Sequence, residues 1–386
     1  MDVKYAAREI VDQERSALVS LSHRIHADPE LGFEEEKAAR WLCEALADGG
    51  FRVESGIGEL PTAFAARGGD GPLHVAICAE YDSLPGIGHA CGHNVIAASA
   101  VGAALALRRV ADDVGLRVSV IGTPAEESGG GKILLLERGA FAGVHAAMMV
   151  HPAPVDVAEP MMIAWSQFDV HYRGKEAHAS AFPELGINAL DALTVAQTAI
   201  GLLRQHMRST DRVHGIILKG GDAANVVPAH TCARYMVRAE ALADLGEIRA
   251  KVMRCFEAGA LASGARLSVE EASPSYAEVR HDGALAAIYR RNAQGLGRVF
   301  PEMGPMARRA AGSTDMGNVS QVLPSIHPLI GLGCYPVVNH QPEFAAFCAT
   351  PVADQALVDG AVALAWTAID LAADPAARSR LLARTT

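Results

Sequence analysis

A thiol and an imidazole stand two positions apart within residues 86–94 of this chain. Cys91 and His93 are of the types that bind zinc and its neighbours among the transition metals. They follow residues 73–79, an apolar stretch that predicts a buried strand, and precede residues 95–107, whose small apolar side chains predict a core helix. Open α/β sheets bind their ligands at such strand-to-helix turns, so this turn is a candidate site.

Further polar side chains lie at the ends of other predicted strands. Glu126 and Glu127 follow one strand, His151 follows the next, and His340 lies in a turn late in the chain. Cys91, His93, His151, His340 and one of the two glutamates make five candidate ligands, more than one tetrahedral ion needs. Two ions that share a bridging ligand would use all five. Of two adjacent carboxylates, one can bind metal while the other accepts a proton from water. The pattern is typical of amide hydrolysis.

Each of these features also has an ordinary structural explanation. Cys91 alone is typical of a small buried residue, and a Glu126-Glu127 pair is typical of a helix N-terminus. Two other functions remain open at this point. One is a cysteine hydrolase with Cys91 as nucleophile and His93 as base, although two residues so close in a tight loop rarely align. The other is a non-catalytic metal-binding protein.

The glycine-rich run at residues 129–132 is similar to a phosphate-binding loop. Position 126 is Glu rather than Gly, however, and Ile133 replaces the Ser or Thr that would hold magnesium. The sequence therefore disfavours nucleotide binding.

Composition restricts the partners. The formal net charge is −10 and the chain has no Lys/Arg run, which argues against nucleic acid and anionic membranes and favours a small-molecule substrate. The seven cysteines are scattered and odd in number, as expected of reduced thiols in the cytoplasm. We expect neither a signal peptide nor a segment that approaches the roughly 20 apolar residues of a membrane span.

The order of the elements predicts two domains. Residues 1–164 and 278–386 alternate strands and helices, which predicts a three-layer α/β/α catalytic domain with a mainly parallel sheet. Residues 165–277 predict the order βαββαβ, an inserted ferredoxin-like domain whose edge strand and long helix suit pairing with a second copy. We expect the tail, residues 374–386, to be loosely held.

Five sequence runs together resemble the amidohydrolase branch of the aminoacylase and glutamate-carboxypeptidase metallopeptidases. They are His26–Glu35, Tyr81–Pro85, His89–His93, Pro124–Glu127 and Gly174–Ser180. Three further runs are most similar to the β-alanyl-lysine dipeptidase group of that branch. They are Gly312–Ser320, Pro324–Pro328 and Asn339–His340. The resemblance covers nearly the whole chain.

The resemblance implies a dinuclear site with two divalent ions, zinc or manganese, with cobalt as a further candidate. Its ligands would be Cys91, His93, Glu127, His151 and His340. Glu126 would be the general base and Asp82 an acid that orients the site. Where the branch often has Asp after its Cys-Gly-His run, this chain has Asn94.

The inserted domain would act as a lid and form a homodimer. Its His178 would reach the partner subunit's site and polarise the scissile carbonyl, while Asn225 and Arg238 would hold the substrate carboxylate. Ser313 and Thr314 are further candidate substrate-binding residues. The expected substrates are dipeptides or N-acyl amino acids with a free carboxylate, with Lys, ornithine or Arg on the carboxyl side of the dipeptides.

Overall fold

A computed structural model describes residues 2–302, 304 and 311–384. The helices are α1 (Val3–Ala27), α2 (Glu36–Asp48), α3 (His93–Val114), α4 (Gly131–Glu137), α5 (Ala189–Leu203), α6 (Leu242–Ser263), α7 (Gly283–Gly295), α8 (Met316–Val322), α9 (Pro342–Phe347), α10 (Pro351–Ala373) and α11 (Pro375–Leu382). The strands are β1 (Arg52–Ser55), β2 (Phe64–Gly68), β3 (Leu73–Ala79), β4 (Leu116–Gly122), β5 (Ala146–Met148), β6 (His151–Ala153), β7 (Ala164–Arg173), β8 (Arg212–Lys219), β9 (His230–Ala239), β10 (Arg266–Glu271), β11 (Ser325–Ile326) and β12 (Leu329–Gly331).

The chain forms two compact units. The first contains Met1–Met161 with Val279–Thr386, and the second contains Met162–Glu278. The predicted insert, residues 165–277, lies within the second unit.

The first unit contains a six-stranded sheet in the order β1-β2-β4-β3-β5-β11. Strands β4, β3, β5 and β11 are parallel, as predicted. Strands β1 and β2 form an antiparallel edge, which the prediction of a mainly parallel sheet did not include. A short loop joins β1 to β2, so no crossover helix forces them to be parallel. Strands β6 and β12 form a separate parallel pair.

Alternate side chains of β3 enter two different hydrophobic layers. Leu73, Val75 and Ile77 pack among residues of α1, α3 and α10. Ala76 and Cys78 point to the other face and pack with residues of α4 and α8. All of β3 is buried, as expected of a parallel strand covered on both sides. The predicted three-layer α/β/α architecture is therefore confirmed.

The second unit has the predicted order βαββαβ. Its four strands are antiparallel in the order β10-β7-β9-β8, which leaves β8 at one edge. Phe168, Val170 and Tyr172 of β7 pack against α5 and α6, where Phe256 fills the centre of this unit's own core. The unit is therefore of the ferredoxin-like type.

The expectation of a loosely held tail is wrong for residues 375–382, which form α11. The side chain of Asp374 caps this helix by accepting hydrogen bonds from the amides of Ala376 and Ala377. Leu381 is buried, and Arg380 forms two hydrogen bonds with the carboxylate of Asp282. The last two residues of the tail lie outside the described chain.

Two helices, α3 and α10, are long and apolar enough to cross a membrane by length and composition. The expectation that no segment approaches this length is therefore wrong. However, these helices are largely buried inside the protein. In the apolar 18-residue stretch of each helix, the buried share is 83% for α3 and 78% for α10. Both helices belong to the first unit's hydrophobic core, and that burial explains their composition.

Candidate metal centre

The loop between β3 and α3 brings a thiol and an imidazole together. Gly92 caps α3 with a φ of 77°, in the left-handed region that favours glycine. A Cβ at Gly92 would also stand 2.5 Å from Cγ of Pro152. Glycine is therefore required here, and it allows the ligand atoms of Cys91 and His93 to lie within 4.8 Å of each other.

Asp82 orients the imidazole of His93. Its Oδ1 lies 2.9 Å from Nδ1 of His93, and its Oδ2 accepts a hydrogen bond of 3.0 Å from the amide of Glu127. Burial alone would lower the pKa of His93, but the carboxylate of Asp82 raises it well above its ordinary value. Because Nδ1 is held by Asp82, Nε2 is the nitrogen that can bind a metal ion.

The two adjacent carboxylates after β4, Glu126 and Glu127, follow a residue with a strained backbone. Ala125 has a φ of 55°, which side chains rarely adopt. Its amide donates a hydrogen bond of 2.8 Å to Oε1 of Glu35, and its carbonyl accepts one of 2.9 Å from the amide of Gly129. These contacts fix the turn from which Glu126 and Glu127 project.

The lysine of the glycine-rich run is not available for a phosphate. Lys132 is completely buried, and its Nζ donates to Oε1 of Glu80 at 2.5 Å and to Oδ1 of Asp315 at 2.7 Å. Gly131 is needed for packing, because a Cβ there would stand 1.8 Å from the carbonyl oxygen of Pro124. The run is therefore a tight turn into α4 and not a phosphate-binding loop.

All five predicted metal ligands lie together in the first unit. The ligand atoms of Cys91, His93 and His151 lie within 4.8 Å of one another. Those of Cys91, Glu127 and His340 form a second such group. Sγ of Cys91 is 3.4 Å from Nε2 of His151, and Nε2 of His340 is 3.4 Å from Oε2 of Glu127. Donor atoms on one tetrahedral zinc ion lie about 3.4–3.6 Å apart, so both separations suit a shared ion.

Unpaired polar atoms at this place indicate a ligand. Nε2 of His93 and Oε1 of Glu127 are buried and have no hydrogen-bond partner in the part of the chain that the structure describes. Buried polar atoms are paired in nearly all proteins, so such a pair requires an explanation. Cys91 belongs to both of these ligand groups, so its thiolate would be available to either ion. The residues present therefore fit two divalent ions of the zinc type.

Glu126 lies beside this cluster. Its Oε2 is 4.0 Å from Nε2 of His93, and the residue is 7% exposed. Burial, and next the negative charges of Glu80 and Glu127, raise the pKa of Glu126 well above its ordinary value. A carboxyl group with a raised pKa can accept a proton and return it near neutral pH.

Glu80 is a further residue of this cluster that was not among the predicted ones. It directly follows β3 and is completely buried. Its Oε2 lies 3.5 Å from Nε2 of His93, and the ligand atoms of Glu80, His93 and Glu126 form a third group within 4.8 Å. A carboxylate at the end of a buried parallel strand was the signal that could have found it. Its contact with Lys132, and that of Lys132 with Asp315, were not predicted either.

Three predicted substrate-binding residues, His178, Asn225 and Arg238, belong to the second unit and not to the cluster of the first. The loops of His178 and Asn225 are adjacent, because the amide of Ala179 donates a hydrogen bond of 3.0 Å to the carbonyl of Asn225. Arg238 lies on β9, with its guanidinium carbon 6.0 Å from the ring centroid of Trp165.

Thr314 and Asn94 have structural contacts of their own. The hydroxyl of Thr314, which follows Ser313, accepts a hydrogen bond of 3.2 Å from the amide of Met316 at the start of α8. The amide of Asn94 donates to Oγ of Ser22 at 2.8 Å and to a second, carbonyl acceptor. A carboxylate at position 94 could not donate these hydrogen bonds, so the departure from the family pattern has a packing reason.

Comparison with known proteins agrees with this geometry. Residues 76–364 match the description "Peptidase family M20/M25/M40". The chain is 39% identical over 390 residues to the Xaa-Arg dipeptidase of Mus musculus, which covers 97% of this chain and 90% of that protein. It is 33% identical over 274 residues to a p-aminobenzoyl-glutamate hydrolase component of Escherichia coli (strain K12), which covers 66% of this chain and 57% of that protein.

A solved structure shares the fold. The Bacillus subtilis YXEP protein, a dinuclear metal-binding peptidase from the M20 family, is similar with a TM-score of 0.65 at 22% identity, over 91% of this chain and 98% of that chain. The fold and the convergent ligand set define a metal-dependent hydrolase of peptide or linear amide bonds. The chain belongs to the peptidase family M20/M25/M40. The resemblance predicted from the sequence runs is thereby confirmed, and neither alternative class is favoured.

Proposed function

We propose that the protein is a dipeptidase or N-acyl-amino-acid amidohydrolase with a binuclear site. The observation that carries this proposal is the convergence of five donor side chains beside Glu126, with two buried atoms that have no partner within the described residues. The proposed ligands are Cys91, His93, Glu127, His151 and His340. The Xaa-Arg dipeptidase relative supports a dipeptide whose carboxyl-terminal residue is Arg. The resemblance of the sequence runs extends the proposal to Lys and ornithine.

Two divalent ions at this site would polarise the scissile carbonyl and lower the pKa of a water molecule. Glu126 accepts the proton of the attacking water and returns it to the leaving amine. Asp82 holds Nδ1 of His93 and so fixes the ring in the orientation that leaves Nε2 to the ion.

The second unit supplies the substrate contacts in this proposal. His178 polarises the scissile carbonyl in the partner subunit's site, while Asn225 and Arg238 bind the free carboxylate of the substrate. A guanidinium supports this role because it can donate two parallel hydrogen bonds to a carboxylate. Ser313 and Thr314 complete the proposed set.

A homodimer through the second unit is part of the same proposal. Strand β8 is an edge strand, and its consecutive side chains Ile216, Ile217 and Leu218 are 62%, 47% and 49% exposed. An exposed apolar edge pairs readily with another strand, and β8 of a second copy would continue the sheet. We expect light scattering to give the mass of two chains and Ile216→Lys to shift it towards one. A wild-type monomer would contradict this part.

Zinc or manganese is the proposed metal, with cobalt able to substitute. The thiolate of Cys91 supports zinc. The seven cysteines are all free, which supports the cytoplasm as the compartment.

A hydrolysis screen on metal-reconstituted protein tests the proposed function. The panel pairs dipeptides that end in Arg, Lys or ornithine with dipeptides of the same first residue that end in Glu, and adds N-acyl amino acids and p-aminobenzoyl-glutamate. We expect hydrolysis that a chelator abolishes and that added zinc or manganese restores. Hydrolysis that survives removal of metal would indicate a cysteine hydrolase. No hydrolysis across the panel would favour a non-catalytic metal-binding protein.

A further inference from the structure

Three charged side chains form a completely buried cluster beneath the candidate metal centre. Lys132, Glu80 and Asp315 are each 0% exposed. The ammonium of Lys132 donates to one oxygen of each carboxylate, at 2.5 Å and 2.7 Å. The second oxygen of Asp315 accepts a hydrogen bond of 2.8 Å from the backbone amide of Lys132. Asp315 therefore has both oxygens occupied.

Glu80 differs from Asp315 in that one of its oxygens has no partner. Oε1 is bound to Lys132, whereas Oε2 is buried without a hydrogen-bond partner among residues 2–302, 304 and 311–384. This oxygen lies 3.5 Å from Nε2 of His93, which is itself unpartnered within the same residues. Two donors bound to one tetrahedral ion would be separated by about 3.4 Å.

The charges of the cluster also favour a cation near Glu80. One ammonium faces two carboxylates, so the cluster of Lys132, Glu80 and Asp315 carries one negative charge in surplus. A surplus negative charge at full burial is costly unless a cation compensates it. A cation at Nε2 of His93 would supply that compensation, since the free oxygen of Glu80 faces that atom.

We propose that Glu80 is a sixth metal-binding residue of the centre, with Oε2 as a ligand of the ion that His93 holds and with Lys132 and Asp315 as the positioning residues that aim it. This inference rests on the two-ion site proposed above. It assigns the buried triad to metal binding rather than to folding alone. Glu80 would add a carboxylate donor to the imidazole of His93, and the ligand atoms of these two residues lie within 4.8 Å of each other.

Metal affinity tests the inference directly. The variant is Glu80→Gln, which removes the surplus charge and leaves Lys132 paired with Asp315. Zn²⁺ affinity is measured by competition with a chromophoric chelator, and ligand geometry by the visible spectrum of the Co²⁺-substituted protein. We expect Glu80→Gln to lower the affinity for one of the two Zn²⁺ ions by about 10- to 100-fold and to change the Co²⁺ spectrum.

Asp359→Asn is the matched control. Asp359 is a buried carboxylate of the same unit, but both of its oxygens accept hydrogen bonds, from the side-chain amide of Gln355 at 2.8 Å and from the guanidinium of Arg298 at 3.4 Å. We expect Asp359→Asn to leave Zn²⁺ affinity and the Co²⁺ spectrum near those of the wild type.

The stability of the chelator-treated protein separates metal binding from a purely structural role. Since Glu80→Gln removes the excess of two carboxylates over one ammonium in this cluster, its chelator-treated form should unfold at the same urea concentration as the wild type or higher. A lower urea midpoint combined with unchanged Zn²⁺ affinity would make Glu80 only a salt-bridge partner and would overturn the inference. Wild-type protein that binds no Zn²⁺ would instead overturn the proposed function, whereas two ions bound equally by both proteins would overturn this inference alone.

Discussion

Sγ of Cys91 and Nε2 of His151 lie 3.4 Å apart although 60 positions separate them in the chain. Cys91 lies in the loop after β3, and His151 opens β6 shortly after β5. Strands β3 and β5 are parallel neighbours in the sheet, so their carboxyl ends meet at one edge. The sheet topology therefore creates the ligand pair, as at the binding edge of other open α/β sheets.

Replacing Cys91 should weaken the binding of both proposed ions. Its sulfur belongs to the ligand group with His93 and His151 and to the group with Glu127 and His340. For Cys91→Ser we expect metal content by elemental analysis to fall from two ions per chain to below one. The rate of hydrolysis should fall at least about 100-fold, since the loss of even an outer-shell partner costs up to that much. Cys255→Ser, a change of a half-buried cysteine in the second unit, is the control. Lost activity with both ions retained would instead indicate a nucleophilic Cys91.

Removing the proposed base should separate turnover from metal binding. For Glu126→Gln we expect kcat to fall by about 100- to 10,000-fold while metal content stays near that of the wild type, because the side chain transfers a proton and is not among the five proposed ligands. Glu127→Gln is the matched comparison, and it should lose metal as well as activity. Full turnover in Glu126→Gln would remove this residue from the mechanism.

Sequence alone predicted the five side chains that converge in the first unit. Four of them lie shortly after β3, β4 or β5, and the apolar character of those strands is local information. The sequence predicted the βαββαβ order of the second unit for the same reason. The antiparallel direction of β1 and β2 was not predicted. Strand direction depends on how chain segments assemble and not on the periodicity of apolar residues within each strand.

Glu80 was not predicted from the sequence, because the residues that it contacts are distant from it in the chain. Its partners are Lys132 in the glycine-rich turn and His93 at the start of α3. Lys132 in turn needs Asp315, which lies 183 positions further along the chain. The position of Glu80 directly after a buried strand marks it as a candidate, but no local spacing encodes its contacts with Lys132 and His93. Asp82, by contrast, was predicted because it stands within a recognisable run of the family.

Stability should depend on pH through His74, a buried residue of β3. Its Nε2 lies 2.7 Å from Oγ of Ser119 and its Nδ1 lies 3.0 Å from the carbonyl of Gly143. Burial lowers the pKa of His74 from 6.5 to about 4. Between these values the unfolded chain binds a proton that the folded chain does not, so stability is full above pH 6.5 and falls as the pH falls towards 4. The loss is at most about 3 kcal/mol.

Urea unfolding of chelator-treated protein checks this dependence. The free energy of unfolding of the wild type should fall more between pH 7 and pH 4.5 than that of His74→Gln. The measurement uses chelator so that the release of metal ions at low pH does not contribute. Equal losses in the two proteins would show that His74 does not carry the effect.

Glycine should be required at position 92 for two separable reasons. Gly92 and Gly86 lie in the same loop and both have a φ of 77°, but a Cβ at Gly86 meets nothing within 4 Å, whereas one at Gly92 meets Pro152. Gly86→Ala should therefore cost about 1–2 kcal/mol of stability from backbone strain alone. Gly92→Ala should cost more and also weaken Zn²⁺ binding, because the backbone must move between Cys91 and His93. Equal effects in the two variants would contradict the steric argument.

Recognition of the substrate carboxylate can be tested on β9, where Arg238 and Arg234 stand four positions apart and so on the same face of the strand. The guanidinium of Arg234 is already bound to both carboxylate oxygens of Asp169, at 2.7 Å and 2.8 Å. For Arg238→Met we expect KM for a free-acid dipeptide to rise by about 10- to 100-fold, because hydrogen bonds to a charged group are worth about 1.5–3 kcal/mol. KM for the same dipeptide as its C-terminal amide should change little.

Arg234→Met, which removes the same charge from the same face, is the control and should leave both KM values near those of the wild type. If the two variants lose affinity equally, the positive charge of the sheet face, and not a specific contact from Arg238, attracts the substrate.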